Sequence, residues 1–462
     1  MKIPYSKEEL QAILNKGLAT GADFAELFFE DTTADNYQMT TGELTASNRE
    51  NIHGAAVRII KDAECVNGYT NDIAKTEELV EKLAGSFEGE RVKEAAELVE
   101  VEKDCNISFE QNPVLVPIET KIRYLKECCE GGSGYSTEIV QVIATAIDKC
   151  QEILVVNSNG VYAEDTRTNI RIVANCVASD GKDMMSGRKD VGGNTGYELF
   201  KDVDFRELGR AAAEQAVTML HAEYIKGGKM TVVINNGFGG VILHEACVHS
   251  LEATSVAKNV SVFCGKLGQK IASDIVTAVD DGTLKNYWGS LNVDDEGHKT
   301  QRNVLIENGI LKSYLVDYRN SSIMDHPTTG SGRRQSYKFL PTSRMTNTFF
   351  VNGENTFDEI IANTEYGLFA KSMGGGSVMP ATGEFNFVVN EGYLIENGKI
   401  TRPVKGATLV GSGKDVLLNV DMIADNLSTG HGMCGSMSGS IPTDVGEPTI
   451  RVQNMTVGGR NE

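Results

Sequence analysis

At 462 residues the chain is too long for one ordinary core, so two or three domains are expected. Hydrophobic residues make up 40% and charged residues 23%, the balance of a soluble globular protein with a large interior. Acidic residues outnumber basic ones 64 to 44, for a formal net charge of -20, and no basic stripe offsets this, which argues against nucleic acid or anionic lipid as a direct partner.

In chain order, Ser6 before Lys7-Glu8-Glu9 is a helix start, with Leu10, Ile13 and Leu14 on one stripe. Phe24 to Phe29 and Ala55 to Ile60 read as strands, and Glu77 to Ala84 and Ile118 to Cys129 as helices. Residues 87–116 are charged and weakly patterned and contain Pro113, which predicts a loop or sub-domain break. Strands resume over Ile139 to Ala146 and Ile153 to Val156. After the turn Asn157-Ser158-Asn159-Gly160, a further strand is expected over Asn169 to Val177. Phe205 to Tyr224 is the longest helical pattern, ending near Gly227-Gly228.

Beyond residue 228 the texture changes. The strand Thr231 to Ile234 leads through Asn235-Asn236-Gly237-Phe238-Gly239-Gly240 into a helix beginning near Val241. Short β-prone runs follow at Val304 to Ile306, Leu311 to Val316, Phe385 to Val389, Tyr393 to Ile395 and Ala407 to Val410. The expectation is an α+β protein: an N-terminal α/β region, 1–228, with a mixed or antiparallel sheet, and a C-terminal β-rich domain, 229–462. No apolar leader or membrane-length span is visible. Nine scattered cysteines lack disulfide spacing, so a reducing, cytoplasmic setting is expected.

The candidate chemistry lies in His244-Glu245-Ala246-Cys247-Val248-His249, an HExxxH pattern one residue longer than HExxH. Five residues of ideal α-helix rotate by about 500°, leaving the two rings roughly 140° apart and unable to share an ion. A single i→i+5 turn would bring them within about 50°, so a π-bulge is predicted. Two imidazoles suit zinc, which as a catalytic ion takes three protein ligands and leaves one position open. Glu245 is placed to act as general base. Glu252, three residues after His249, could orient that ring or approach the metal. The helix itself supplies no third ligand.

The segment Gly239 to Glu252 resembles the TldD/PmbA family of metallopeptidases, on its TldD side. The likeness continues through Val279-Asp280-Asp281-Gly282-Thr283, Val293-Asp294-Asp295-Glu296-Gly297 and Val304 to Leu311. It extends to Gly330-Ser331-Gly332-Arg333-Arg334, Arg344-Met345-Thr346-Asn347-Thr348 and Met433-Cys434-Gly435. The resemblance implies a zinc peptidase acting on unstructured peptides, in a homodimer or a heterodimer with a related PmbA/TldE-like chain. It maps the ligands of one Zn2+ per chain onto His244, His249 and Cys434, with Glu245 as the base. The family usually has Gly where this chain has Val248, which would restrict the backbone there. Members have also been described as modulators of DNA gyrase, so a non-catalytic regulatory subunit is the alternative.

Arg333 and Arg334 could grip a substrate carboxylate, although structural arginines after a turn are the plainer reading. Gly374 and Gly375 could let a peptide backbone approach, or could form a flexible turn. Cys247 is expected in the core, Trp288 in packing, and His298, His326 and His431 outside any zinc site.

Overall fold

The computed structural model describes residues 1–379 and 382–460. Its first half is built on a seven-stranded sheet. Strands Glu64–Thr70, Glu43–Lys61, Phe24–Thr40, Ile139–Asn157 and Val161–Ser179 lie side by side and antiparallel. Met184–Gly193 and the short parallel Val99–Glu100 share the outer edge of Val161–Ser179. Helices Ile118–Ser133 and Phe205–Leu220 pack on this sheet through Leu125, Cys128, Ala212 and Ala216, against Val142, Ala144 and Ile172. Lys7–Gly17 and Thr76–Ala84 pack on it through Leu10, Leu14 and Val80.

The strands are far longer than the apolar runs alone predict. Phe24–Thr40 has 17 residues and Glu43–Lys61 has 19, because backbone pairing continues through polar positions such as Asp35↔Arg49. Likewise Ile139–Asn157 is one strand rather than two. Its polar middle is held by Asp148, which pairs with the Lys121 ammonium at 2.7 Å and accepts from the Tyr197 hydroxyl. The turn at Asn157 to Gly160 forms as expected, with Gly160 at φ +91°. The helix from Phe205 stops at Leu220, short of Tyr224.

The second half carries two larger sheets. In one, Tyr366–Met379, Gly228–Ile234, Ile450–Gly458, Thr408–Ser412 and Glu384–Glu396 pair in succession, and the last pairs back with the first, closing a five-stranded ring. Two expected strands, at Phe385 and Tyr393, are thus one. In the other sheet the order is Ile310–Leu311, Arg302–Glu307, Ala278–Asp281, Asn347–Phe350, Gly439–Glu447 and, at the edge, Ser428–Ser436. The expected strand from Leu311 to Val316 is paired at its start and by an isolated parallel bridge between Leu315 and Glu252, with Leu315 and Val316 buried. Gly374 and Gly375 lie within Tyr366–Met379, across an irregular register from Glu384–Glu396, and not in a turn. The fold is α+β.

The halves meet through buried ion pairs. Arg58 contacts Glu26 at 2.6 Å and Glu296 at 2.7 Å, Arg334 contacts Glu26 at 2.7 Å, and Arg167 contacts Asp295 at 2.6 Å.

Candidate metal centre

The strand Gly228–Ile234 delivers the chain through a left-handed Gly237, φ +84°, into the helix Val241–Ala246. This helix sits between the closed ring and the six-stranded sheet, with Val241, Ile242, Leu243 and Ala246 in the main core. It is seated by close backbone approach. A Cβ on Gly240 would lie 2.4 Å from the Gly446 backbone, and one on Gly413 would lie 1.8 Å from the Ala246 carbonyl oxygen.

The helix does not run through the motif, and the expected π-bulge is absent. The last α-type bond is from Cys247 N–H to the Leu243 carbonyl; Cys247 then turns to φ -122°, ψ -60°, and a 3-10 turn follows over Val248–Leu251. A break at Cys247, rather than a widened turn, absorbs the excess rotation. The His244 and His249 ring centroids end 5.0 Å apart and nearly perpendicular, at 87°. Val248 is fully buried with a φ outside the left-handed region, so nothing in this backbone requires glycine there.

Cys434 enters from the edge strand Ser428–Ser436. Its Sγ lies 3.1 Å from His244 Nε2 and 3.2 Å from His249 Nε2. One ligand atom from each of the three lies within 4.8 Å of the others. Burial would raise the Cys434 thiol, but the two imidazoles outweigh it and bring it down to about 3. For His249, burial works against the charged ring, and Glu252 and Cys434 prevail, raising it well above its ordinary value. Glu252 Oε1 is 3.2 Å from His249 Nδ1, and Glu245 Oε2 is 3.6 Å from His249 Nε2. The Glu245 side chain is 27% exposed against 11% for His249, so it stands at the mouth of the cluster.

A tetrahedral ion with a sulfur at about 2.3 Å and a nitrogen at about 2.1 Å holds the two roughly 3.6 Å apart. The observed separations need to open by only a few tenths of an ångström, so the donor set fits a metal. His244 Nδ1 is buried without a hydrogen-bond partner among the described residues.

Models of the three PmbA/TldA metallopeptidase domains match residues 25–98 (domain 1), 112–220 (central domain) and 227–459 (C-terminal domain). A metalloprotease TldD homolog from Haemophilus influenzae is 35% identical over 95% of this chain and 93% of its own. The chain belongs to the PmbA/TldD metallopeptidase family. Among solved structures, a candidate modulator of a DNA gyrase from Thermotoga maritima superposes with TM-score 0.79, at 21% identity, covering 98% of this chain and 99% of that one. TldE from Thermococcus kodakarensis gives 0.76 at 19% identity, over 98% and 99%. Both establish the PmbA/TldD fold for this chain.

The remaining candidates lie elsewhere. Arg333 and Arg334 are 3% and 4% exposed, and they engage the Met345 carbonyl and Glu26 respectively. Gly374 is buried and Gly375 exposed on their strand. Cys247 is in the core, where burial pushes its thiol up to about 12. All nine cysteines are free. His431 pairs with Asp190 at 2.9 Å, and Trp288 lies beside it. His298 clusters with Asp294 and Glu296.

Sequence reasoning missed Arg344. Fully buried, it donates from Nη2 to the Cys434 carbonyl at 2.5 Å, and its Nε is 3.8 Å from Glu252 Oε1. It therefore links the strand of one ligand to the carboxylate beside another. Its segment stood out in the family resemblance, but an arginine in a loop gives no sign of facing a carbonyl ninety residues away.

Proposed function

We propose that this chain is a zinc-dependent peptidase that hydrolyses short or unfolded peptides, with His244, His249 and Cys434 as ligands and Glu245 as general base. The observation that carries this reading is the convergence of the Cys434 sulfur on Nε2 of both histidines, with a partly exposed carboxylate at the opening. Two neutral imidazoles and a thiolate are a catalytic zinc donor set, one ion per chain, with a fourth position left open. Bound there, zinc supplies Lewis acidity toward a peptide carbonyl and toward water.

The chain's own groups do the rest. Glu245, the most accessible of the four, takes the proton of an attacking water and returns it to the leaving amine. Glu252 faces His249 Nδ1 and so keeps Nε2 turned toward Cys434. Arg344 fixes the strand that presents the thiolate.

The likeness to TldE supports pairing between related chains, so the working unit is a dimer of this chain with itself or with a TldE-like chain. The net charge of -20 supports peptides rather than nucleic acid as the substrate, and a cytoplasmic setting is part of the same proposal. Among the described residues no helix is long and apolar enough to cross a membrane. In the proposed division into 1–228 and 229–462, the proposed ligands His244, His249 and Cys434 all belong to the second region.

Metal analysis and peptide digestion test the reading together. Wild-type protein and Glu245→Gln should each carry about one zinc per chain, His244→Ala should carry none, and only the wild type should cleave an unstructured peptide. Cleavage that survives Glu245→Gln would remove the base. Zinc bound without turnover, even with a related partner chain supplied, would favour the regulatory alternative.

A further inference from the structure

Between the first sheet and the second half lies a small, partly open cavity of about 20 Å³, whose wall includes the exposed Gln335 and Ser440. Its wall includes four cations, Lys149, Arg167, Arg333 and Arg334, but a single carboxylate, Asp295. That carboxylate is already engaged: Oδ1 accepts from Arg167 Nη1 at 2.6 Å and Oδ2 from the Arg334 backbone N–H at 2.7 Å. Arg334 in turn is paired with Glu26.

Two of the cations are left over. Arg333 is 3% exposed, and its Nη1 donates to the Met345 carbonyl. Its Nε has no partner, and no carboxylate among the described residues is in ion-pair contact with it. Lys149 is half-buried, and its ammonium likewise has no hydrogen bond or ion pair among the described residues. The nearest acid acting on it, Glu30, is spent on the Thr32 hydroxyl, the Gln151 amide and the Tyr337 backbone N–H. Burial holds Lys149 below its ordinary value and brings Arg333 down to about 10.

A buried charge without a partner costs several kcal/mol, and natural interiors provide the counter-charge. The cavity exceeds the roughly 10–15 Å³ that one water-sized body needs. Water would satisfy the N–H groups but leave the buried Arg333 charge without an ion-pair partner. We propose that this cavity binds one small monovalent anion of halide size, with Lys149 and Arg333 as its charge partners.

The site is distinct from the metal centre but touches its frame. Ile441, on the cavity wall, is the register partner of Cys434. An anion held there ties the strand Gly439–Glu447, opposite the thiolate, to the first sheet.

The test uses full-length protein freed of chloride. Bromide is soaked into crystals and located by its anomalous signal. In parallel, the thermal midpoint is compared in sodium bromide, sodium chloride and sodium gluconate at equal ionic strength. The expected results are a bromide peak between Lys149 and Arg333 and a higher midpoint in either halide. Bromide affinity, read from the dependence of that midpoint on concentration, should weaken at least about tenfold in Lys149→Met. Water density without a bromide peak overturns the proposal, as does a peak accompanied by no halide effect in solution. A halide effect that persists undiminished in Lys149→Met also overturns it. If Lys149→Met fails to fold, Lys149→Gln and the native crystal decide.

Discussion

Two of the charged clusters buried among the described residues differ in what their atoms already hold. At the inter-half lattice each carboxylate is matched. Glu296 takes Arg58 on one oxygen and the Tyr318 backbone N–H on the other. Asp294 accepts the backbone N–H groups of Glu296 and His298 on one oxygen and that of Gly332 on the other. Asp294, Glu296 and His298 stand close enough together to hold an ion, yet their carboxylates are committed to the protein's own donors. At the His244, His249 and Cys434 cluster the candidate ligand atoms face one another, with Glu245 Oε2 3.6 Å from His249 Nε2, and a thiol brought down to about 3 offers its lone pairs inward. Proximity of ligand-type residues therefore does not mark a metal centre; lone pairs left without donors do.

The comparison can be broken from either side. The largest effect is expected from Cys434→Ala, which should strip the metal and lower peptide cleavage by at least about a thousandfold; metal analysis and cleavage assays check this. Next, Arg58→Met should cost about 3–5 kcal/mol by leaving Glu296 without a cation and Glu26 with Arg334 alone. Folded Arg58→Met protein should keep its full metal content, which separates lattice from centre in one denaturation series. Glu252→Gln should weaken metal affinity about 10–100-fold, measured by competition with a chelator, because His249 loses the carboxylate facing Nδ1.

The smallest effect concerns pH. Burial disfavours charged His298, but Asp294, Glu296 and Glu26 outweigh it and raise the ring to about 9. Its stabilising contribution is complete below the unfolded value near 6.5 and is lost as pH rises toward 9. Urea midpoints of His298→Gln should therefore fall less across that window than those of the wild type.

The sequence placed the start of the motif's helix at Val241, where a strand, a glycine-rich turn and an apolar run share a boundary, but ran it on through His249 where it ends at Ala246. It also paired His244 and His249 with Cys434 through family likeness, which no periodicity argument could do across 185 residues. The means by which the histidines meet was misread. Helical arithmetic allowed for one distortion, the i→i+5 turn, while the chain uses a break at Cys247 whose cause lies in packing from distant segments such as Gly413. Strand lengths were underestimated for a related reason. Polar stretches such as Glu30 to Thr40 stay extended because neighbouring strands hold their backbones, a long-range effect that local hydrophobicity does not record. Arg344, Arg58 and Arg167 stayed hidden because a buried arginine is recognisable only by its partners.

The break at Cys247 also changes what an ion does mechanically. Had both rings stood on one rigid helix, their spacing would be fixed before any metal arrived. Here the imidazoles sit on either side of a joint, and small rotations about the two backbone bonds of a single residue swing one ring past the other. An ion held by both rings would therefore work as a clasp, locking a knee in the chain as well as occupying a pocket.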